Sequence, residues 1–267
     1  MVRTLRVARI LTVMIVILAA VASAGGLFLP GLYRDTAWVV PQNKATDLVT
    51  LGIALPALVV TLLAAGRGSA RATMVWLGLL GYVFYVYTGA AFAYAFNAFI
   101  LIYIALFSLS VFSLVATASG LEVAEIQRRF DASTPRRPVA IFLGLMALLL
   151  SMLWLGQILP FFTTGKVPEG VTLAGGTTFF VYALDLGLIV PLSLLSAIWL
   201  WRRLPWGHVL AGCMLIKAAT MGLALLAMTW FSIRAGLGVA LELVVSYAGI
   251  ALGGLGMSVW FFRHCRG

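Results

Sequence analysis

Charge is scarce in this chain. Only 10% of its 267 residues are charged, and Asp and Glu together number eight. At 63% hydrophobic, with a mean hydropathy of +1.10, it is not a water-soluble domain or a disordered segment; it reads as an integral membrane protein. Cysteine is scarcer still. Cys213 falls in an apolar run and Cys265 in the tail, which excludes a disulfide framework. Neither has metal-ligand spacing with His208 or His264, so no metal site is expected. There is no zinc-protease motif, nucleophile elbow, phosphate-binding loop or paired haem-type histidine, and the reading leans away from an enzyme.

What is present is a succession of apolar runs. At about 20 residues per span, the chain has room for about eight. We expect an all-α integral membrane protein, a single transmembrane domain over 1–267. The spans are expected at 1–29, 47–65, 73–95, 99–118, 139–159, 177–200, 208–230 and 238–262. The first resembles a secretory signal, with Ala22-Ser23-Ala24 at the cleavage position, but the apolar run continues past that point and favours an uncleaved span.

The net charge of +10 could suggest nucleic acid, but its distribution argues for orientation instead. With eight spans, one side collects Arg3, Arg6, Arg9, Arg67, Arg71, Arg128, Arg129, Arg136, Arg137, Arg202, Arg203, Arg263 and Arg266. The other side holds Arg34, Lys44, Lys166 and Arg234. The positive-inside rule then places both termini in the cytoplasm, in a bacterial inner membrane, with the lipid bilayer as the first partner and no nucleic acid. The arginine bias and short loops resemble bacterial multi-pass proteins in general style, and no motif matches a family of known activity.

The two halves have a similar layout. Each has a span ending in proline (Pro30, Pro160), a long connection, a span with an internal proline, a short arginine loop, and a two-span hairpin. LGIALP at 51–56 matches LGLIVP at 186–191. This suggests a parallel 4+4 repeat, halves 1–120 and 138–267, joined by a charged cytoplasmic loop over 121–137. Pro56 and Pro191 lack an amide hydrogen and crowd the carbonyl four residues back, where Gly52 and Gly187 add no side chain. Kinked spans at matching places in two halves point to a transport site.

Three ionisable residues, Asp185, Lys217 and Glu242, stand out inside the spans. Counting about 1.5 Å per residue from the outer interface, Asp185 is about 12 Å deep, Lys217 about 20 Å and Glu242 about 6 Å. Each isolated charge at mid-depth costs about 2.5–3.5 kcal/mol on insertion scales, so partners are expected. Lys217 could pair with Asp185 on the neighbouring span, or with Glu242. Of the three lysines, Lys44, Lys166 and Lys217, one is the deep cation, and a lysine can lose its proton where an arginine cannot.

Asp47, Asn97, Gln157, Tyr182 and Tyr247 share the outer half as a vestibule, with Asn97 and Gln157 also expected as helix caps. Tyr82, Tyr85, Phe92 and Tyr182 are candidates for a ligand wall, although two aromatic stripes on span three also suit core packing. Small residues at four-residue spacing, Ala218/Gly222 and Gly249/Gly253, suit close helix approach within the bundle or in a homo-oligomer.

Three readings follow. The first is a small-solute or ion transporter or channel, with proton coupling through Asp185 and Lys217 and no cofactor. The second is a sensory protein binding a hydrophobic ligand, or a retinal-type chromophore on Lys217. The third is a structural or assembly protein in which the charges only hold the bundle.

Overall fold

A computed structural model describes residues 2–176 and 178–266, with side chains from Leu5 onward. Among them are eight helices long and apolar enough to cross a membrane, as in a multi-pass membrane protein, and no strand. Span one is Leu5–Phe28, span two Val40–Gly66, span three Ala70–Phe92 and span four Ile100–Ser119. Span five is Arg136–Ile158, span six Phe180–Trp201, span seven Pro205–Arg234 and span eight Leu241–Arg263. Thr177, the expected start of span six, lies outside the described residues, as does the side chain of Arg3.

The apolar pattern is that of a protein in lipid. Ile17, Val60, Leu63, Leu101, Met152 and Leu252 are exposed on helix faces, while small and hydroxyl residues lie between helices. Spans one to four enclose one core around Ile15, Leu58, Trp76, Tyr82 and Leu106. Spans five to seven enclose a second around Leu143, Ile189, Leu200 and Leu215, reached from span eight by Phe261. Spans three and seven join the halves at Gly78, where a β-carbon would stand 2.8 Å from the Cys213 carbonyl oxygen. Spans seven and eight also cross closely. A β-carbon on Gly222 would meet Ala251 Cα at 2.6 Å, and one on Gly254 the Ala219 amide nitrogen at 2.8 Å. So Gly222 and Gly254 make this approach, while Gly253 packs on Phe142 and Gly249 faces open space.

Span two begins at Val40 rather than near Asp47. Gln42, Asn43 and Lys44 read as loop, but Pro41 suits a first helical turn and the polar side chains find partners. Gln42 donates to the Trp38 carbonyl at 2.9 Å, and the Thr46 hydroxyl to the Gln42 carbonyl at 3.0 Å. Asp35, in the connection before span two, accepts the Ala95 amide at 2.8 Å; burial pushes its carboxyl up and that amide draws it partly back.

Both termini lie on one face, called here the termini face. Arg9 is 3.7 Å from where a Gly66 β-carbon would be, at the end of span two. The Arg71 Nε donates to the Cys265 carbonyl, and the Arg266 amide to the Arg129 carbonyl at 2.7 Å. The segment after span four, expected to extend that span or lie on the surface, forms a separate short helix, Val123–Arg128, with Ile126 buried.

Candidate functional site

The internal prolines are accommodated identically in spans two and six. Before each, the helix widens to a π-helical segment, Thr50–Ala54 and Asp185–Ile189. The amide preceding the proline reaches back five residues: Leu55 to the Thr50 carbonyl, Val190 to the Asp185 carbonyl. A π segment of this kind absorbs the hydrogen bond that proline cannot make, and such bulges are frequent at functional sites. Gly52 and Gly187 lie within these segments, and a β-carbon on either would meet nothing within 4 Å.

The residue opening each segment points a polar side chain at span three. The Thr50 hydroxyl lies 3.0 Å from the Tyr82 hydroxyl, and the Tyr85 hydroxyl donates to Asp185 Oδ1 at 2.9 Å. The counterpart of Asp185 is therefore Thr50, each six residues before its proline. Asp47 lies further out, bonded to the Tyr33 hydroxyl beneath Gly26, and does not reach the cavity described next.

Asp185 is 6% exposed, and its second oxygen accepts the Trp154 indole at 2.8 Å from span five. Lys217 is 7% exposed and makes no direct ion pair with Asp185 or Glu242. Its Nζ stands 4.2 Å from the centre of the Tyr85 ring, whose hydroxyl holds Asp185. Tyr85 thus intervenes in the expected pair: the ring face attracts the cation, and the hydroxyl serves the carboxylate. Among the described residues, the Lys217 ammonium has no hydrogen-bond acceptor.

These groups line a cavity of about 1120 Å³ between spans five, six, seven and eight, floored by span three and the start of span two. Spans one and four pack closely, whereas spans five and eight meet only briefly, near Phe142 and Gly253. Span five lines the cavity from Met146 to Gln157 and span eight from Leu243 to Ile250, so it occupies the half away from the termini. Trp38, Phe92, Phe179, Phe180 and Tyr247 supply aromatic wall. The connection between spans five and six contributes Glu169 and Leu173, whose carbonyl accepts the Thr36 hydroxyl at 2.8 Å.

Of the residues singled out from sequence, Asp185, Lys217, Tyr85, Phe92, Gln157 and Tyr247 line this cavity. Tyr82 is instead buried in the first bundle against Thr50. Tyr182 stands beside the lining, donating to the Gln157 side chain at 2.8 Å, so Gln157 binds a tyrosine rather than capping a helix. Asn97 does act at a helix end, accepting the Phe99 amide at 2.9 Å. Glu242 is exposed at the start of span eight and does not line the cavity. Trp154 was not anticipated; the available signal was an indole on the span preceding Asp185, at similar depth. No group of three or more His, Cys, Asp or Glu among the described residues could hold a metal ion.

No family model matches the chain, and neither a curated protein nor a solved structure does.

Proposed function

We propose that this protein is a proton-coupled membrane carrier for amphipathic organic acids, with Lys217 as the headgroup anchor. The observation that carries this is the ammonium of Lys217, buried at the wall of a large aromatic cavity with no acceptor of its own. Asp185 already has a donor on each oxygen, so the unmet demand in the site is for an acceptor. A carboxylate, sulfonate or phosphate headgroup meets that demand. The size and apolar walls of the cavity suit an attached hydrocarbon or aromatic body and exceed what a bare ion needs.

Charge balance supplies the coupling. Lys217 and Asp185 together are neutral, and an arriving anion adds one negative charge to a cavity of low dielectric. One cation does not balance two carboxylates there, so the anion enters with a proton that is held at Asp185. Anion and proton then move together with no net charge transferred. The gap between spans five and eight offers a side entrance from lipid, and the π segment of span six a place where the helix can bend.

The matched π segments of spans two and six support a 4+4 repeat, with the cavity built mainly on the second half and walled also by spans two and three of the first. By the positive-inside rule, both termini lie in the cytoplasm and the cavity faces the opposite side of the cell membrane.

The test uses octanesulfonate, a fixed anion that crosses lipid poorly, added to proteoliposomes containing a pH dye. Acidification of the lumen is expected with the wild-type protein and not with Lys217→Met or Asp185→Asn. Unchanged acidification in both variants would contradict the reading. The unbonded amine of Lys217 also favours a second reading, a Schiff base to a retinal-type chromophore. A coloured complex with retinal, absent in Lys217→Ala, would establish it.

A further inference from the structure

We infer that a second site, on the termini face between spans five and six, binds the phosphate headgroup of an anionic phospholipid. A pocket of about 320 Å³ lies at the N-terminal end of span five, lined by Arg136, Arg137 and Arg203 together with Thr134 and Trp201. Arg137 stacks on the Trp201 ring, 5.6 Å from its centre, and Arg136 donates to the Ala132 carbonyl at 3.3 Å. Among the described residues, no carboxylate lines the pocket. Of the acids on this face, Glu125 pairs with Arg128 and Arg129 and Asp131 with His264, while Glu122 precedes the Val123–Arg128 helix and does not line the pocket. Three guanidinium groups around one concavity repel each other unless an anion sits among them, and guanidinium matches phosphate geometry.

Orientation alone would account for arginines on this face, but not for the backbone of Arg203. The turns after spans two and six close in the same way. Gly68 donates to the Ala65 carbonyl at 3.1 Å and Ser69 to Ala64 at 3.3 Å. Arg203 donates to Leu200 at 3.0 Å and Leu204 to Trp199 at 2.9 Å. Both turns need a left-handed residue: Gly68 has φ 88° and Arg203 has φ 60°, the latter the one non-glycine residue with positive φ among those described. Glycine takes this conformation without steric cost and arginine does not. The second half therefore keeps a strained arginine where the first half uses glycine, which is sensible if the side chain is needed.

The surface below the pocket distinguishes a lipid from free phosphate. Ile141 and Leu145 follow Arg137 at four-residue steps on span five, and Leu194 and Ile198 precede Trp201 on span six. All four are exposed and apolar, on two spans packed side by side. They offer an acyl chain a path directly beneath the arginines, and Trp201 is exposed at the level where interfacial tryptophans sit.

Native mass spectrometry of the purified full-length protein provides the test, with phosphatidylglycerol and phosphatidylcholine of equal chain length. Wild type should retain phosphatidylglycerol about ten-fold more strongly, as expected for charge-assisted hydrogen bonds, and Arg137→Gln/Arg203→Gln should lose that preference. Arg203→Gly guards against misfolding: it restores the glycine of the matching turn, so thermal stability should hold or rise while the preference falls. Equal retention of the two lipids by wild type, or a preference that survives in both variants, would overturn the site. Displacement of the lipid by inorganic phosphate at equal concentration would overturn the lipid assignment.

Discussion

Tyr85 and Lys217 touch face to charge: the lysine ammonium stands 4.2 Å from the tyrosine ring centre, while the hydroxyl of that ring donates to Asp185 at 2.9 Å. One side chain thus separates two opposite charges and contacts both. The carboxylate is satisfied by tyrosine and tryptophan, and the cation is left with only a ring face. The proposed role of the cavity, taking an anionic acceptor, rests on this asymmetry.

Tyr85→Phe separates the two roles. The ring that carries Lys217 remains, and Asp185 loses one of its two donors. Leaving a buried acceptor short of a donor costs about 1–3 kcal/mol, which thermal unfolding in detergent would register. Tyr85→Ala, which removes the ring as well, should be more destabilising than Tyr85→Phe.

Lys217→Met, close to lysine in volume, should unfold no more easily than wild type, because it replaces a buried cation that has no bonded partner. Asp185→Asn should lose about 1–3 kcal/mol, since its amide cannot accept both donors. A structural salt bridge would give the opposite pattern, with both singles destabilised and the double variant recovering much of the loss. Equilibrium unfolding of the four proteins distinguishes the two.

Much of the fold was legible because lipid imposes a simple rule. Each apolar run of sufficient length emerged as a helix, and the paired LGxxxP strings marked both π segments. The start of span two was missed because Gln42, Asn43 and Lys44 resemble loop residues, and their helical turn depends on partners in Trp38 and Asp35. At the site, composition located Asp185 and Lys217, but not the tyrosine between them. Span three was already known to carry Tyr85; what sequence could not supply was the rotation of that span relative to six and seven. Glu242 was misplaced for the same reason, since depth along a helix does not say which side of it faces the cavity.

The crossing of spans seven and eight depends on Gly222 and Gly254. Leucine at either position would press a β-carbon into the backbone of the opposing helix, and overpacking of this kind costs about 1–3 kcal/mol or more. Gly249→Leu, facing open space, should be tolerated. Thermal midpoints of the three variants in one detergent would check the ranking.

The tail clamp on the termini face should respond to acid. The Ser133 hydroxyl, and then His264, hold the Asp131 carboxyl below its ordinary value of 3.8. A depressed carboxyl stabilises the fold above its unfolded value and loses that contribution as the pH falls through the folded one. Asp131→Asn should therefore be less stable than wild type at neutral pH, with the difference shrinking below about pH 4. Thermal unfolding as a function of pH would show the convergence.

The central claim is that Lys217 anchors an acidic headgroup, and calorimetric titration with octanesulfonate tests it most directly. Wild-type protein should bind octanesulfonate and not octyltrimethylammonium, and Lys217→Met should weaken binding by about ten-fold or more, the value of a charged hydrogen bond in an apolar site. Equal binding by wild type and Lys217→Met, or a preference for the cationic amphiphile, would contradict the account.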